Sequence, residues 1–212
     1  MIVDEQRRPA AGAVPIRPLR RRPGPDGNER LTATTAVVLL VLLAVEGVTI
    51  VFLRPLLSVH VFVGMLLVPP VALKLASTGW RFLRYYRGAI DYVRRAPPRP
   101  LMRFLVAPVV VASTVGLFAT GVALIAFGPG HPLVLGVHKA SFVVWLGAMT
   151  IHVLVYALRL PSLVGGELRR RPRVAGTRLR TWALAGSLVA GATLAAWTLP
   201  LEHAWRGFAD GG

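Results

Sequence analysis

The chain has no cysteine. That excludes disulfides, iron–sulfur clusters and thiolate metal sites. Acidic residues are scarce, nine Asp and Glu against 25 Lys and Arg, and lysine itself occurs only at Lys74 and Lys139. So strong a preference for Arg is what a GC-rich bacterial genome would be expected to produce. There is no glycine-rich phosphate loop and no HExxH-type metal motif, and nothing points to hydrolytic catalysis. Glu202 and His203 are adjacent, so on a helix they would not face each other. What the chain does have is apolar length. Hydrophobic residues make up 54% of it and the mean hydropathy is +0.59, too apolar for an ordinary soluble domain.

The apolar residues fall in long blocks separated by Arg-rich stretches. About 20 residues at 1.5 Å each cross a hydrocarbon core, and backbone groups in lipid must be satisfied within their own segment. The blocks therefore predict an all-α membrane protein with five transmembrane helices, at 31–53, 56–78, 101–127, 132–158 and 181–199. Pro69-Pro70 should kink the second. Arg54-Pro55 and Gly128-Pro129-Gly130-His131 are tight turns joining antiparallel neighbours. Residues 1–30 read as a disordered basic tail with no signal-peptide pattern, 31–158 as a four-helix bundle, 159–180 as a basic loop, 181–199 as an extra helix and 200–212 as a tail.

The arginines set the expected topology. The N-terminal tail, the stretch after span two and the loop after span four each carry seven Arg, while Arg54 and Arg206 are alone on the opposite side, 21 against 2. Positive charge marks the cytoplasmic face. The expected location is the plasma (inner) membrane, multi-pass, with the N-terminus cytoplasmic and the C-terminus external. The net charge of +16 is thus a topology signal, with membrane lipid as the partner and no nucleic acid. Trp80, Arg81, Phe82, Tyr85 and Tyr86 read as an interfacial belt.

Ionisable residues within spans are costly and become functional candidates. They are Glu46, His60, Lys74, His138, Lys139 and His152. His138 and His152 are 14 residues apart on span four, and His60 and Lys74 are 14 apart on span two. At 100° per residue each pair shares one helix face and is separated by roughly 21 Å along the axis. Spans two and four run in the same direction, which puts His60 about 6 Å and His138 about 9 Å below their outer ends. Two level imidazoles across a bundle match the axial ligation of a b-type haem. Gly47, Gly116 and Gly121 lie in the same half and would make room for the ring. Lys74 and His152 mark a second, inner site. Lys74 is expected to reach toward the cytoplasmic interface, and Lys139 to snorkel outward. Glu46 stands about 10 Å inside span one as a candidate proton-transfer group. Gly186 with Ala190, and Ser187 with Gly191, give span five a small-xxx-small packing face.

Paired histidines about 14 residues apart on the second and fourth helices of a bundle resemble the di-haem cytochrome b of quinol-oxidising complexes and related bacterial b-type membrane cytochromes. The resemblance covers 31–158 and rests on His60, His138 and His152 with the glycines of spans one and three. It implies a haem-binding bundle with haem b held by His60 and His138, and electron transfer to or from a quinone or a partner protein. The family has a fourth histidine where this chain has Lys74, so the expectation is one haem per chain. With no soluble domain for another cofactor, such a chain would be an electron-transfer subunit rather than a self-sufficient enzyme. It would need a redox partner outside the cytoplasm, in a homo- or hetero-oligomer. Two rival readings stand beside it: a haem-free membrane anchor or scaffold, and a small proton- or ion-coupled transporter using Glu46, Lys74 and His152.

Overall fold

The computed structural model describes residues 25–94, 100–157 and 176–209. The remainder of the basic tail and loops, and residues 210–212, lie outside the described residues. Among those described, every regular element is helical. Five helices are long and apolar enough to cross a membrane. The chain is an all-α, multi-pass membrane protein.

Helix α1 spans Pro25–Val51 and α2 spans Leu57–Tyr86. A short α3, Ile90–Val93, follows. A π turn over Met102–Val106 leads into α4, Ala107–Phe127. Next come α5, Pro132–Ala157, and α6, Thr177–Thr198. The chain closes with a 3-10 turn, Leu199–Glu202, and helix α7, His203–Ala209.

Two boundaries differ from expectation for polar reasons. Helix α1 begins inside the segment expected to be disordered. Proline is well suited to a first helical position, and the polar first turns find partners on α2. Asn28 Nδ2 donates to the Ser77 carbonyl at 3.0 Å, and the Thr32 and Ser77 hydroxyls are 3.1 Å apart. Helix α2 runs on to Tyr86, past the expected end at Thr78. Its last turns are basic and aromatic, and Arg84 and Arg103 sit over the faces of Trp80, Tyr92, Tyr85 and Tyr86. Loss of hydropathy marks where lipid would end, not where the helix ends.

The segment after α6 is also more than a tail. Ser58 on α2 donates to Glu202 at 2.6 Å, and Trp205 Nε1 donates to the Leu124 carbonyl of α4 at 2.9 Å. Glu202 and Trp205 are buried. The C-terminal turns therefore cap the arginine-poor end of the bundle, where the α1–α2 and α4–α5 turns also lie. Gly128, with φ of 78°, ends α4 there in a conformation that favours glycine.

Helix α2 is central. It packs along α1 and α6, while α4 packs chiefly on α5; contact between α2 and α4 is lighter. The fold is thus two groups, α1/α2/α6 and α4/α5, meeting along a seam. A small core of Leu39, Val63 and Leu67 fills the first group, with Phe118 of α4 packed against it. An apolar groove of about 380 Å³ runs along the seam between Val68, Val71 and Leu75 of α2 and Thr114, Phe118 and Val122 of α4. Large apolar side chains such as Val51, Leu133, Leu154 and Trp197 face outward, as expected of a surface solvated by lipid tails.

Helix α2 continues through Pro69 and Pro70. Pro70 has no N–H to give the carbonyl of Leu66, its i−4 residue. That carbonyl faces Gly191 on α6 so closely that a β-carbon at 191 would collide with it. Gly191 and Ala195 are buried, and Ser187 shares their face. Gly186 and Ala190 are exposed. Only one of the two small-residue rows on this helix is the α2-packing face.

Candidate functional site: two histidines across the seam

His60 lies on α2, on one side of the seam, and His138 lies on α5, on the other. Both are partly buried. Along the helices, His60 and His138 lie toward the arginine-poor end, and Lys74 and His152 toward the arginine-rich end, so each level draws one residue from α2 and one from α5.

At the arginine-poor level, each imidazole is held by the helix behind it. His60 Nδ1 is 2.9 Å from Glu46 Oε1 and 3.1 Å from Thr49 Oγ1, both on α1. Glu46 and Thr49 are three residues apart, so they share one face of that helix. Gly64, one turn beyond His60, lies beside the carboxylate: a β-carbon there would be in ordinary contact with Glu46 Oε1 at 3.5 Å. His138 Nδ1 is 3.0 Å from Thr120 Oγ1 and 3.2 Å from the Leu117 carbonyl, both on α4. A β-carbon at Gly121 would stand 3.4 Å from the His138 ring.

The proton positions follow from the acceptors. The Thr49 hydroxyl donates to the Glu46 carbonyl at 2.6 Å, and the Thr120 hydroxyl donates to the Gly116 carbonyl at 2.6 Å. Such bonds to the preceding turn are the usual resting place of a helical Thr proton. Each hydroxyl can then only accept from the imidazole. The carboxylate and the Leu117 carbonyl can only accept as well. A neutral ring at either position must therefore carry its proton on Nδ1, which leaves the lone pair on Nε2. Sequence reasoning missed Thr49, Thr120 and the Leu117 carbonyl. A hydroxyl three residues after Glu46 on the same helix face was the only legible hint.

The arginine-rich level is built differently. Lys74 Nζ donates to the Thr32 carbonyl of α1 at 2.7 Å, and Ser77 and Asn28 complete a polar contact between α1 and α2. Lys74 thereby reaches toward the arginine-rich end of α1, where it meets a backbone carbonyl. His152 is partly buried on α5. Between the levels, Trp145 stands seven residues from each α5 histidine. Its Nε1 donates to Thr114 Oγ1 on α4 at 3.0 Å.

The remaining candidates are placed as follows. Gly116 faces Ser141, with a β-carbon position 3.1 Å from its hydroxyl. Gly47 is exposed with open space beside it. Lys139 is exposed. Among the described residues no group of three or more His, Asp or Glu side chains gathers into a metal cluster. Neither a protein family, nor a curated protein, nor a solved structure matches the chain.

Proposed function

We propose that the protein is a membrane b-type cytochrome, with His60 and His138 as the axial ligands of one haem b. The observation that carries this reading is that Nδ1 of each ring faces oxygen acceptors on the helix behind it. Iron needs an imidazole nitrogen with a free lone pair, and metal-bound histidines commonly give the other N–H to a carboxylate or a backbone carbonyl. Glu46 accepts from one ring and Leu117 from the other. Both rings are oriented by Nδ1 and offer Nε2. A ligand pair on α2 and α5 also fits the packing, because these helices belong to the two groups that meet at the seam.

When bound, such a haem supplies reversible one-electron transfer. The chain's own part is to hold the two imidazoles level, to fix their tautomers and to line the seam with apolar side chains. Substrate chemistry would belong to a redox partner, and a quinone is a candidate electron carrier on the membrane side. The arginine-poor end, where the histidines and the C-terminal cap lie, would face away from the cytoplasm under the positive-inside rule.

The test is the absorption spectrum of the purified full-length protein, with pyridine-haemochrome quantification. The expected result is a Soret band, a reducible α-band and loss of most haem in both His60→Ala and His138→Ala, with membrane insertion retained. A colourless wild type, or normal haem content in both variants, overturns the reading and favours the haem-free anchor.

A further inference from the structure

The two histidines are not held alike. His138 is backed by neutral acceptors, the Leu117 carbonyl and the Thr120 hydroxyl. His60 is backed by the Thr49 hydroxyl and by a carboxylate, Glu46. A carboxyl in this span is expensive, and this one is partly buried. Thr49 Oγ1 also approaches Glu46 Oε2 at 3.3 Å, so the same threonine touches both the carboxyl and the ring. The network around it brings one carboxylate oxygen to one ring nitrogen.

From this geometry we infer that Glu46 is a positioning and tuning residue for His60: it fixes the ring through Nδ1 and lowers the reduction potential of the haem that His60 ligates. This inference rests on the haem-binding reading. A carboxylate accepting the Nδ1 proton draws that proton toward itself and makes the imidazole a stronger electron donor through Nε2. The oxidised metal gains more from a stronger donor than the reduced metal does. The negative charge beside the ligand acts in the same direction. It favours the oxidised form, which carries one more positive charge, and a low-dielectric setting strengthens that effect. His138, facing a neutral backbone carbonyl, gains a weaker push and no nearby negative charge. The sequence-level expectation that Glu46 transfers protons is not needed to account for its place.

Glu46→Gln separates the two roles. The amide oxygen can still accept from Nδ1, so the ring stays oriented, but the charge is gone. The experiment is a redox titration of the full-length protein in detergent at one fixed pH, followed at the α-band. It compares the wild type, Glu46→Gln, Glu46→Ala and Thr120→Val. Glu46→Gln is expected to keep its haem with a raised midpoint potential. Glu46→Ala is expected to lose haem affinity by about tenfold to a hundredfold, the usual scale for removing such a partner. Thr120→Val keeps the Leu117 acceptor and is expected to leave the midpoint near the wild-type value. A red Glu46→Gln protein with an unchanged midpoint overturns the role of Glu46 while leaving haem binding intact. A colourless wild type overturns the haem reading itself, and the inference with it.

Discussion

Gly191 on α6 packs against the backbone carbonyl of Leu66 on α2, at the point where Pro70 withholds the helical N–H that would otherwise meet it. A break in one helix and the absence of a side chain in the next are a single feature. In lipid, helices associate through close packing rather than hydrophobic burial, so small residues at crossings matter greatly. The Cα–H of glycine can also rest on that carbonyl, a contact worth ~0.5–1 kcal/mol. Gly191→Ala should force α2 and α6 apart and lower the unfolding temperature of the detergent-solubilised protein. Gly186→Ala, on the exposed row of the same helix, should leave it unchanged. Equal melting curves for all three proteins would remove Gly191 from the packing argument.

The C-terminal cap rests on a second pair. Ser58 donates to the buried Glu202 across 2.6 Å. Hydrogen bonds to charged groups contribute about 1.5–3 kcal/mol. Glu202→Ala should destabilise the fold by about that amount, and Glu202→Gln by less, because an amide oxygen can still accept from Ser58. The measurement is denaturant or thermal unfolding of the three proteins side by side. A Glu202→Ala protein as stable as the wild type would mean that the cap is not held by this bond.

Much of the fold was legible because lipid imposes a simple rule. Five runs of apolar residues gave five helices, and the two turns rich in Pro and Gly fell where expected. The misplaced boundaries have a common cause: hydropathy reports lipid, while helices continue as long as their backbone and side chains find partners. Asn28 with Ser77 extends α1, and the Arg–aromatic stacks extend α2. The site was only half legible. Periodicity along one helix brought His60 and Lys74 onto a face, and His138 and His152 likewise. Pairing Glu46 with His60 depends on how α1 is rotated against α2, and spacing within a single helix carries no such information. The same holds for Thr120 and His138. The cap was missed because residues 200–212 lack apolar length, although a Trp and a Glu in so short a segment were a signal of burial.

The orientation in the membrane is a prediction from charge alone. Reporter fusions after Arg95 and after Arg171 should report the cytoplasm, and one after Pro129 the exterior, following the 21-to-2 asymmetry. The geometry adds a consequence. The His60–Glu46 pair lies toward the same end as Pro129, so a water-soluble redox partner would approach from outside the cytoplasm. A cytoplasmic signal at Pro129 would invert the whole arrangement.

Under the proposed haem-binding function, the number of haems turns on Lys74. At the arginine-rich level α2 carries Lys74 and α5 carries His152, both partly buried. A Lys amine must lose its proton before it can bind iron, and it must then be aimed at the metal. Lys74 instead donates to the Thr32 carbonyl at 2.7 Å, within a polar contact that joins α1 to α2. Turning it into the seam would leave that carbonyl without its side-chain donor and would require a bare amine in place of a hydrogen-bonded ammonium. Losing that hydrogen bond within the α1–α2 polar contact is unfavourable. One haem per chain is therefore expected, with His152→Ala retaining nearly all of it. Lys74→Met should cost stability by removing the tie to Thr32, again without loss of haem. Lys74→His would restore a pair of imidazoles at this level, and a gain of a second haem in that variant is the positive outcome. The measurement is the haem-to-protein ratio by pyridine haemochrome against quantitative amino-acid analysis. A wild-type ratio near two, falling to one in both His152→Ala and Lys74→Met, would make Lys74 a ligand and end the single-haem account.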